Sequence, residues 1–238
     1  KAWVIVTSQE AIDQVTKRIK GMDFSKIMGR FDTRLSLSSA NVDEVIIKRL
    51  LEKKESAQDT LRLLYNEKSA ILNNLITFSD DTYDMKNYSD AQEFVDVYPF
   101  VPYQFKPFQE VFEEIRRHGA TGKHLSEGER SLLSAFQESA QKYQTEEEGK
   151  LIPFSAFFSP IESFLDSNIR RVITNAMNNN RLEDYDVEVL KLLFLIRYIK
   201  GLPGNIENLT TLMISNIDED KLALKEKIES SLKRLLRE

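Results

Sequence analysis

The stretch from Val187 to Ile199 is almost entirely apolar, and it constrains the fold more than any other part of the chain. A helix that is apolar all round has to be covered by other elements, because it has no face suited to water. Gly201 and Pro203 follow directly and should end this helix. Two more helices are expected beyond the break, from Ile206 to Ile214 and from Glu219 to Arg237. We therefore predict a helical body packed around one central helix.

Apolar residues at helical spacing predict further helices in the middle of the chain. Asn41, with Glu44 three residues later, is typical of a helix start, and the apolar row that follows runs to Ile76. The polar run from Glu52 to Ser56 interrupts this row, so we expect either two helices or one long bent helix. The other expected helices are Phe105 to Gly119, Ser126 to Tyr143 and Ser159 to Asn178. The predicted fold class is mainly α.

The first residues predict a strand followed by a helix. Trp3 to Val6 is a short apolar run that is typical of a buried parallel strand. Thr7, with Glu10 three residues on, favours the start of a helix that ends at Gly21. Together these elements form half of a βα unit. Alternation of leucine and serine over 35–38 is compatible with a second short strand.

Three segments between the predicted helices show patterns typical of a loop, an extended segment and a linker. Residues 77–90 carry Ser, Asp, Asn and Tyr without periodicity and are interpreted as a surface loop. Val97 to Pro102 is expected to be extended, because residues before proline avoid the helical region. The charged run from Glu146 to Lys150 is the best candidate for a linker.

Composition excludes several classes of function. The net charge of −5 argues against a dominant nucleic-acid surface, which usually requires a basic excess. The chain has no cysteine and only two histidines, so we expect no disulfide and no metal site, in a reducing compartment such as the cytoplasm. No apolar run is long enough to cross a membrane. Because the sequence opens at Lys1 directly before an apolar strand, we expect it to be a piece of a longer protein.

The segment Gly119 to His124 only superficially matches a phosphate-binding loop. The full pattern needs a Gly five residues before the second Gly and a Ser or Thr after the Lys. Arg117 and His124 occupy those positions, and no predicted strand leads into the segment. We interpret it as a helix stop and a loop, so the chain has no recognisable nucleotide cradle.

Two arginines are candidates for contacts with phosphate. Arg30 lies between Gly29 and Phe31, which suits a tight turn that could carry an arginine finger for phosphoryl transfer. The local sequence alone favours an ordinary surface arginine over the finger, and Arg34 is the second choice for the same role. Arg130 is expected in the first turn of a helix, where the macrodipole favours an approaching anion. A salt bridge to a neighbouring glutamate is the alternative.

Thr7 is the third candidate, since polar groups at the ends of parallel strands face ligands in α/β nucleotide folds. A plain N-cap explains Thr7 as well. The phenylalanines of 94–112 and 154–164 are interpreted as core residues rather than base-stacking residues, because basic residues do not alternate with them. From Asp186 onward the helices have the order of a helix-turn-helix unit, but nine acidic residues balance nine basic ones there.

These segments together resemble known ATPases. Gly29-Arg30-Phe31 followed by a helix at Asn41 resembles the arginine-finger box and first lid helix of AAA+ ATPases, and Thr7 matches the polar residue of their first sensor. Gly128-x-Arg130-x-Leu132-Leu133 resembles their second sensor. More narrowly, four segments are similar to the P-loop ATPase of bacterial BREX phage-exclusion systems, the BrxC/PglY family: Arg34–Val45, Val97–Phe105, His118–Arg130 and Asp218–Leu224.

The resemblance implies a division into three parts. Residues 1–40 would end a nucleotide-binding α/β core, 41–145 would form a helical lid with an insertion, and 150–238 a truncated helical domain shaped like a winged helix. Arg30, with Arg34 as runner-up, would act in catalysis, and Thr7 and Arg130 would contact the nucleotide. ATP and magnesium would bind only to the parent protein, because the phosphate-binding loop and the acidic magnesium strand are expected upstream of Lys1.

The implied function is ATP-driven work in anti-phage defence. The implied partners are other protomers of the same ATPase, other BREX proteins and DNA, with no membrane. This stretch alone is not expected to hydrolyse ATP. The alternatives are a non-catalytic helical scaffold for protein interactions and a DNA-binding helix-turn-helix module.

Overall fold

The computed structural model describes residues 42–83, 85–118 and 128–238, and this part of the chain is mainly helical. The strand predicted at Trp3–Val6 and the helix predicted after it lie outside the described residues. Within the described ranges the β-structure consists of one isolated antiparallel bridge between Lys150 and Asn216. None of the helices in these ranges is long and apolar enough to cross a membrane.

The polar run after residue 51 separates two helices, as one of the two sequence alternatives predicts. Helix α1 spans Val42–Leu50, and α2 spans Glu55–Leu75 after Lys54 adopts an extended conformation. At 1.5 Å per residue, α2 is about 30 Å long. The short helix α3, Ala91–Val97, packs along α2 and was not expected from the sequence. Asp90 is its N-cap residue, and the Asp90 side chain accepts a hydrogen bond from the backbone N–H of Glu93 at 2.8 Å.

The segment between α2 and α3 is a loop, as predicted, but part of it is buried. Tyr88 is only 4% exposed, and its hydroxyl donates a 2.6 Å hydrogen bond to the carbonyl oxygen of Phe100. Two prolines follow α3. The residues that precede them, Tyr98 and Val101, have ψ angles of 137° and 140°, which are typical of extended backbone. The Tyr98–Pro99 peptide bond is cis.

Helices α4, Phe105–His118, and α5, Gly128–Lys142, follow a 3-10 turn at Pro102–Gln104. Their apolar faces meet in a cluster of phenylalanine rings with centroid separations of 4.2–6.5 Å, which is the range of favourable aromatic pairs. The members of this aromatic cluster are Phe100, Phe105, Phe108, Phe136 and Phe157. The interpretation of these phenylalanines as core residues is confirmed.

The single helix predicted from Ser159 is wrong. The chain forms a 3-10 turn at Phe154–Phe157, helix α6 at Phe158–Ile161 and a 3-10 turn at Glu162–Phe164, and then becomes extended at Leu165. Helix α7 starts anew at Ser167 and ends at Met177, because the Asp166 carboxylate accepts a 2.7 Å hydrogen bond from the Asn168 N–H and caps it.

The last three helices are α8, Asp184–Ile196, α9, Ile206–Leu212, and α10, Lys221–Leu235. Helix α8 packs against α7, α10 and the Phe154–Phe157 turn, and Val189 and Leu192 are fully buried in it. The prediction of a central helix is therefore confirmed. Gly201 follows with φ of 77°, a left-handed conformation that favours glycine. Buried apolar residues from α1 through α10 form one cluster, and the division into three domains stays a prediction.

Candidate functional site

Of the four residues that the sequence predicts to contact nucleotide, the structure describes the helix of one. Thr7, Arg30 and Arg34 lie outside the described residues, so their proximity to one another stays a prediction. Arg130 is the third residue of α5 and therefore occupies its first turn, as the sequence predicts. The backbone N–H groups of a first helical turn have no partner within the helix, and they carry the positive end of its dipole.

Helix α5 is held by the residues that follow this first turn. Leu132, Ala135, Phe136 and Ser139 are buried and form one row along the helix. Helical spacing puts position 130 on the opposite side of α5 from this row. The body of α5 is therefore firmly packed, and an anion-binding helix terminus requires such a rigid support.

The anchor of α5 is Phe136. Its ring stacks on Phe105 with a centroid distance of 5.0 Å and an interplanar angle of 17°, and its edge meets Phe157 at 4.9 Å. Phe136 is only 1% exposed. Six residues of helix separate it from position 130, or about 9 Å along the axis. Packing against α1 and α6 further restrains α5.

A hollow of about 350 Å³ lies where α1, the start of α2 and α3 meet. Lys48 and Lys53 both line it, and the Lys53 ammonium donates a 2.8 Å hydrogen bond to the carbonyl oxygen of Asp96. Burial lowers the pKa of Lys53 to about 8, although the nearby Asp96 carboxylate partly offsets this effect. Glu52 also lines the hollow, so it offers a phosphate no uniformly positive surface.

A second hollow, of about 320 Å³, lies between α4 and the turn that follows α8. Lys106 lies 4.7 Å from the ring centroid of Tyr83, in cation–π geometry. Burial raises the pKa of Glu110, and the charge of Lys106 opposes this change. With Lys200 also in the lining, the charges of this hollow are mixed.

Two polar clusters that were not predicted from the sequence link α9 and α10 to other parts of the chain. In the first, Asn208 accepts a hydrogen bond from the Ser79 N–H at 2.9 Å and donates to Thr82 and to the Pro203 carbonyl oxygen, both at 2.9 Å. Asn208 is fully buried at the start of α9. These bonds tie the loop after α2 to α9, so their role is structural.

The second polar cluster joins α10 to α8. Arg234 donates two hydrogen bonds of 2.7 Å to the carboxylate oxygens of Asp186, which is fully buried, and also lies 3.2 Å from Glu183. Burial alone would raise the pKa of Asp186, but the hydrogen bonds from Arg234 and the Glu183 backbone lower it below the ordinary value. An aspartate directly before the apolar run that starts at Val187 was the sequence signal for this pair.

No group of His, Cys, Asp and Glu within 42–83, 85–118 and 128–238 is arranged to hold a metal ion. Neither a protein-family model nor a solved structure matches the chain. Arg130 is the candidate whose position in a helix the structure describes, and its contact with nucleotide stays a prediction.

Proposed function

We propose that this chain is the lid and C-terminal helical part of an AAA+-type P-loop ATPase of a bacterial BREX system. The observation that carries the proposal is the position of Arg130, in the first turn of a helix that the aromatic cluster anchors. The similarity of four separate segments to this ATPase family supports it, as does the mainly helical fold.

In the proposed mechanism the ATP is held by a phosphate-binding loop that precedes this stretch in the parent protein. Arg130 approaches the phosphates of that ATP from the lid, and the free N–H groups of the first turn add to the positive potential there. Its guanidinium stays charged at any working pH and can make two parallel hydrogen bonds to phosphate oxygens. Magnesium, which would neutralise phosphate charge, is assigned to the upstream acidic strand.

Arg30 is assigned to the ATP of a neighbouring protomer, where it would stabilise charge that develops on the transferred phosphoryl group. Thr7 would orient a water or touch the terminal phosphate. The other protomers of the ATPase and other BREX proteins are the proposed partners.

The domain division belongs to the same proposal. Helix α10 packs against both α8 and α9, and the bridge from Lys150 to Asn216 joins the start of the proposed winged-helix-like domain to the segment before α10. The Gln104 side chain donates a 2.6 Å hydrogen bond to the Ile152 carbonyl oxygen, which ties the proposed lid to this domain. A lid coupled in this way could pass the nucleotide state to the C-terminal helices.

Steady-state ATP hydrolysis by the protein of the complete reading frame tests the role of Arg130. Arg130→Ala removes a charge-assisted contact of about 1.5–3 kcal/mol, which predicts a loss of about 10- to 150-fold in turnover or nucleotide affinity. Arg62→Ala is the control, since Arg62 is an exposed arginine whose partners are Asp59 and Gln92. Equal affinity and turnover in Arg130→Ala and the wild type would remove Arg130 from the site.

Two further variants, at Arg30 and Arg34, test the proposed arginine finger. Arg30→Ala should reduce turnover by about a thousandfold while nucleotide binding is retained. Arg34→Ala should leave turnover close to normal, and the reverse pattern would transfer the role to Arg34. A reading frame without a Gly-rich loop followed by Lys-Ser or Lys-Thr upstream of Lys1 contradicts the whole proposal and favours the helical scaffold.

A further inference from the structure

Helix α7 exposes most of its circumference. Only Ile173 and Ala176 are buried in it, and this narrow apolar side packs against α8. Every other residue from Ser167 to Met177 is exposed except Ile169, which is half-buried. The helix therefore lies on the surface of the body with about two thirds of its outline free.

The exposed surface of α7 has an unusual composition for this chain. Residues 167–182 contain three arginines and five asparagines but no Asp or Glu, whereas the whole chain has a net charge of −5. Each of the other described helices of seven or more residues includes at least one acidic residue. A solvated helix face in this protein normally mixes both signs of charge, and α7 does not.

Within 42–83, 85–118 and 128–238, the acidic groups bonded to α7 or to the residues just after it lie at its two ends. Asp166 caps the start, and Glu238 lies 3.4 Å from Arg181 and accepts a 3.0 Å hydrogen bond from Asn179. Both contacts are exposed, where an ion pair contributes little and is easily exchanged for another anion. Arg170 and Arg171, in the middle of the helix, have no carboxylate partner among the described residues.

The side of α7 farthest from its buried residues carries a row of three asparagine side chains and one arginine side chain. Asn168, Arg171, Asn175 and Asn178 follow at intervals of three, four and three residues, which puts them on one line along the helix. The Arg171 guanidinium donates a 3.3 Å hydrogen bond to the Asn168 side chain. Arginine and asparagine are the side chains that read guanine and adenine edges by paired hydrogen bonds.

We propose that α7 is a binding surface for duplex DNA. The three asparagines of its outer row would face base edges in the major groove, whose width of about 12 Å matches the diameter of a helix. Arg170, Arg171 and Arg181 would neutralise phosphates. The major groove of an RNA duplex is too narrow for such a helix. This surface is separate from Arg130, and the proposal holds whether or not the chain belongs to an ATPase. It also differs from the helices after Asp186, which the sequence favoured for DNA.

Salt-dependent binding of the 238-residue chain to a fluorescein-labelled DNA duplex of mixed sequence tests the proposal. Release of counterions by three phosphate contacts predicts a slope of about −2.7 in log affinity against log salt, or a loss of about fortyfold between 50 and 200 mM salt. The triple variant Arg170→Gln, Arg171→Gln, Arg181→Gln should reduce this slope to about zero.

The matched control removes three positive charges from other parts of the surface. Lys54, Lys142 and Lys225 are exposed on or beside other helices, and their joint replacement by Gln should leave the slope unchanged. Because all three arginines are exposed, the triple variant should unfold at the same temperature as the wild type. If it does not fold, the three single variants replace it, and each should reduce the slope by about 0.9.

Three results would overturn the proposal. The first is no binding of duplex DNA at about 50 mM salt, a condition that favours even non-specific contacts. The second is an equal loss of slope in the lysine control, which would assign binding to overall charge rather than to α7. The third is equal binding of an RNA duplex of the same sequence, which would exclude insertion into a major groove.

Discussion

Replacing Arg234 with Leu should destabilise the helical body strongly. The change removes both 2.7 Å hydrogen bonds to Asp186 and leaves that fully buried carboxylate with the 2.9 Å bond from the Glu183 N–H. Loss of one partner of a buried pair costs about 3–5 kcal/mol. For a chain of this size, a loss of 3–5 kcal/mol lowers the unfolding temperature by about 6–20 °C.

The pH dependence gives an independent check on the same variant. In the wild type the lowered pKa of Asp186 adds stability above the unfolded pKa, and this stability is lost as pH falls through the folded value. Without Arg234, burial raises the pKa of Asp186 above its unfolded value, so the contribution of this carboxyl group now falls as pH rises. The sign of its pH dependence should therefore reverse.

Urea unfolding followed by circular dichroism, between about pH 2 and pH 7, measures both effects. Asp186→Leu combined with Arg234→Leu should recover most of the lost stability, because no buried charge remains. Arg62→Leu is the control, and an exposed pair such as Arg62 and Asp59 should contribute less than about 1 kcal/mol. A loss below about 1 kcal/mol in Arg234→Leu, with unchanged pH dependence, would refute the reasoning.

Three smaller predictions follow from other buried polar groups. Asn208→Ala should cost about 2–3 kcal/mol and accelerate hydrogen exchange at the Ser79 amide, which it now holds at 2.9 Å; unchanged exchange would contradict this role. Tyr88→Phe should cost about 1–2 kcal/mol in urea unfolding, because the buried carbonyl of Phe100 loses its 2.6 Å hydrogen bond. The free energy of unfolding should rise between pH 8 and about 10, as Lys53 loses its proton in the folded state first, and this rise should disappear in Lys53→Met.

The helices with long apolar rows could be predicted from the sequence. The break between α1 and α2, the extent of α4 and the central position of α8 all follow from hydrophobic spacing and from Gly and Pro. Helix α3 could not be predicted in this way, because its seven residues complete barely two turns and show little periodicity. The helix expected from Ser159 failed because Asp166 caps a new helix inside an otherwise continuous pattern.

Of the candidate site, only the position of Arg130 at the start of a helix could be predicted. The position of Arg130 in a first turn follows from the sequence, whereas the packing of Phe136 that fixes this helix depends on residues far apart in the chain. The broad exposed surface of α7 was not predicted from the sequence. Val172 is apolar and lies next to the buried Ile173, but it is 45% exposed, so the outer face is wider than spacing alone indicates.

Photo-cross-linking with an ATP analogue that carries an aryl azide on its γ-phosphate, in the protein of the complete reading frame, tests the central claim most directly. If the start of α5 meets the nucleotide, mass spectrometry should find label on the peptide that contains Arg130, and excess ATP should suppress it. Labelling of this peptide that ATP does not suppress, or specific labelling found only elsewhere in the chain, would contradict the account.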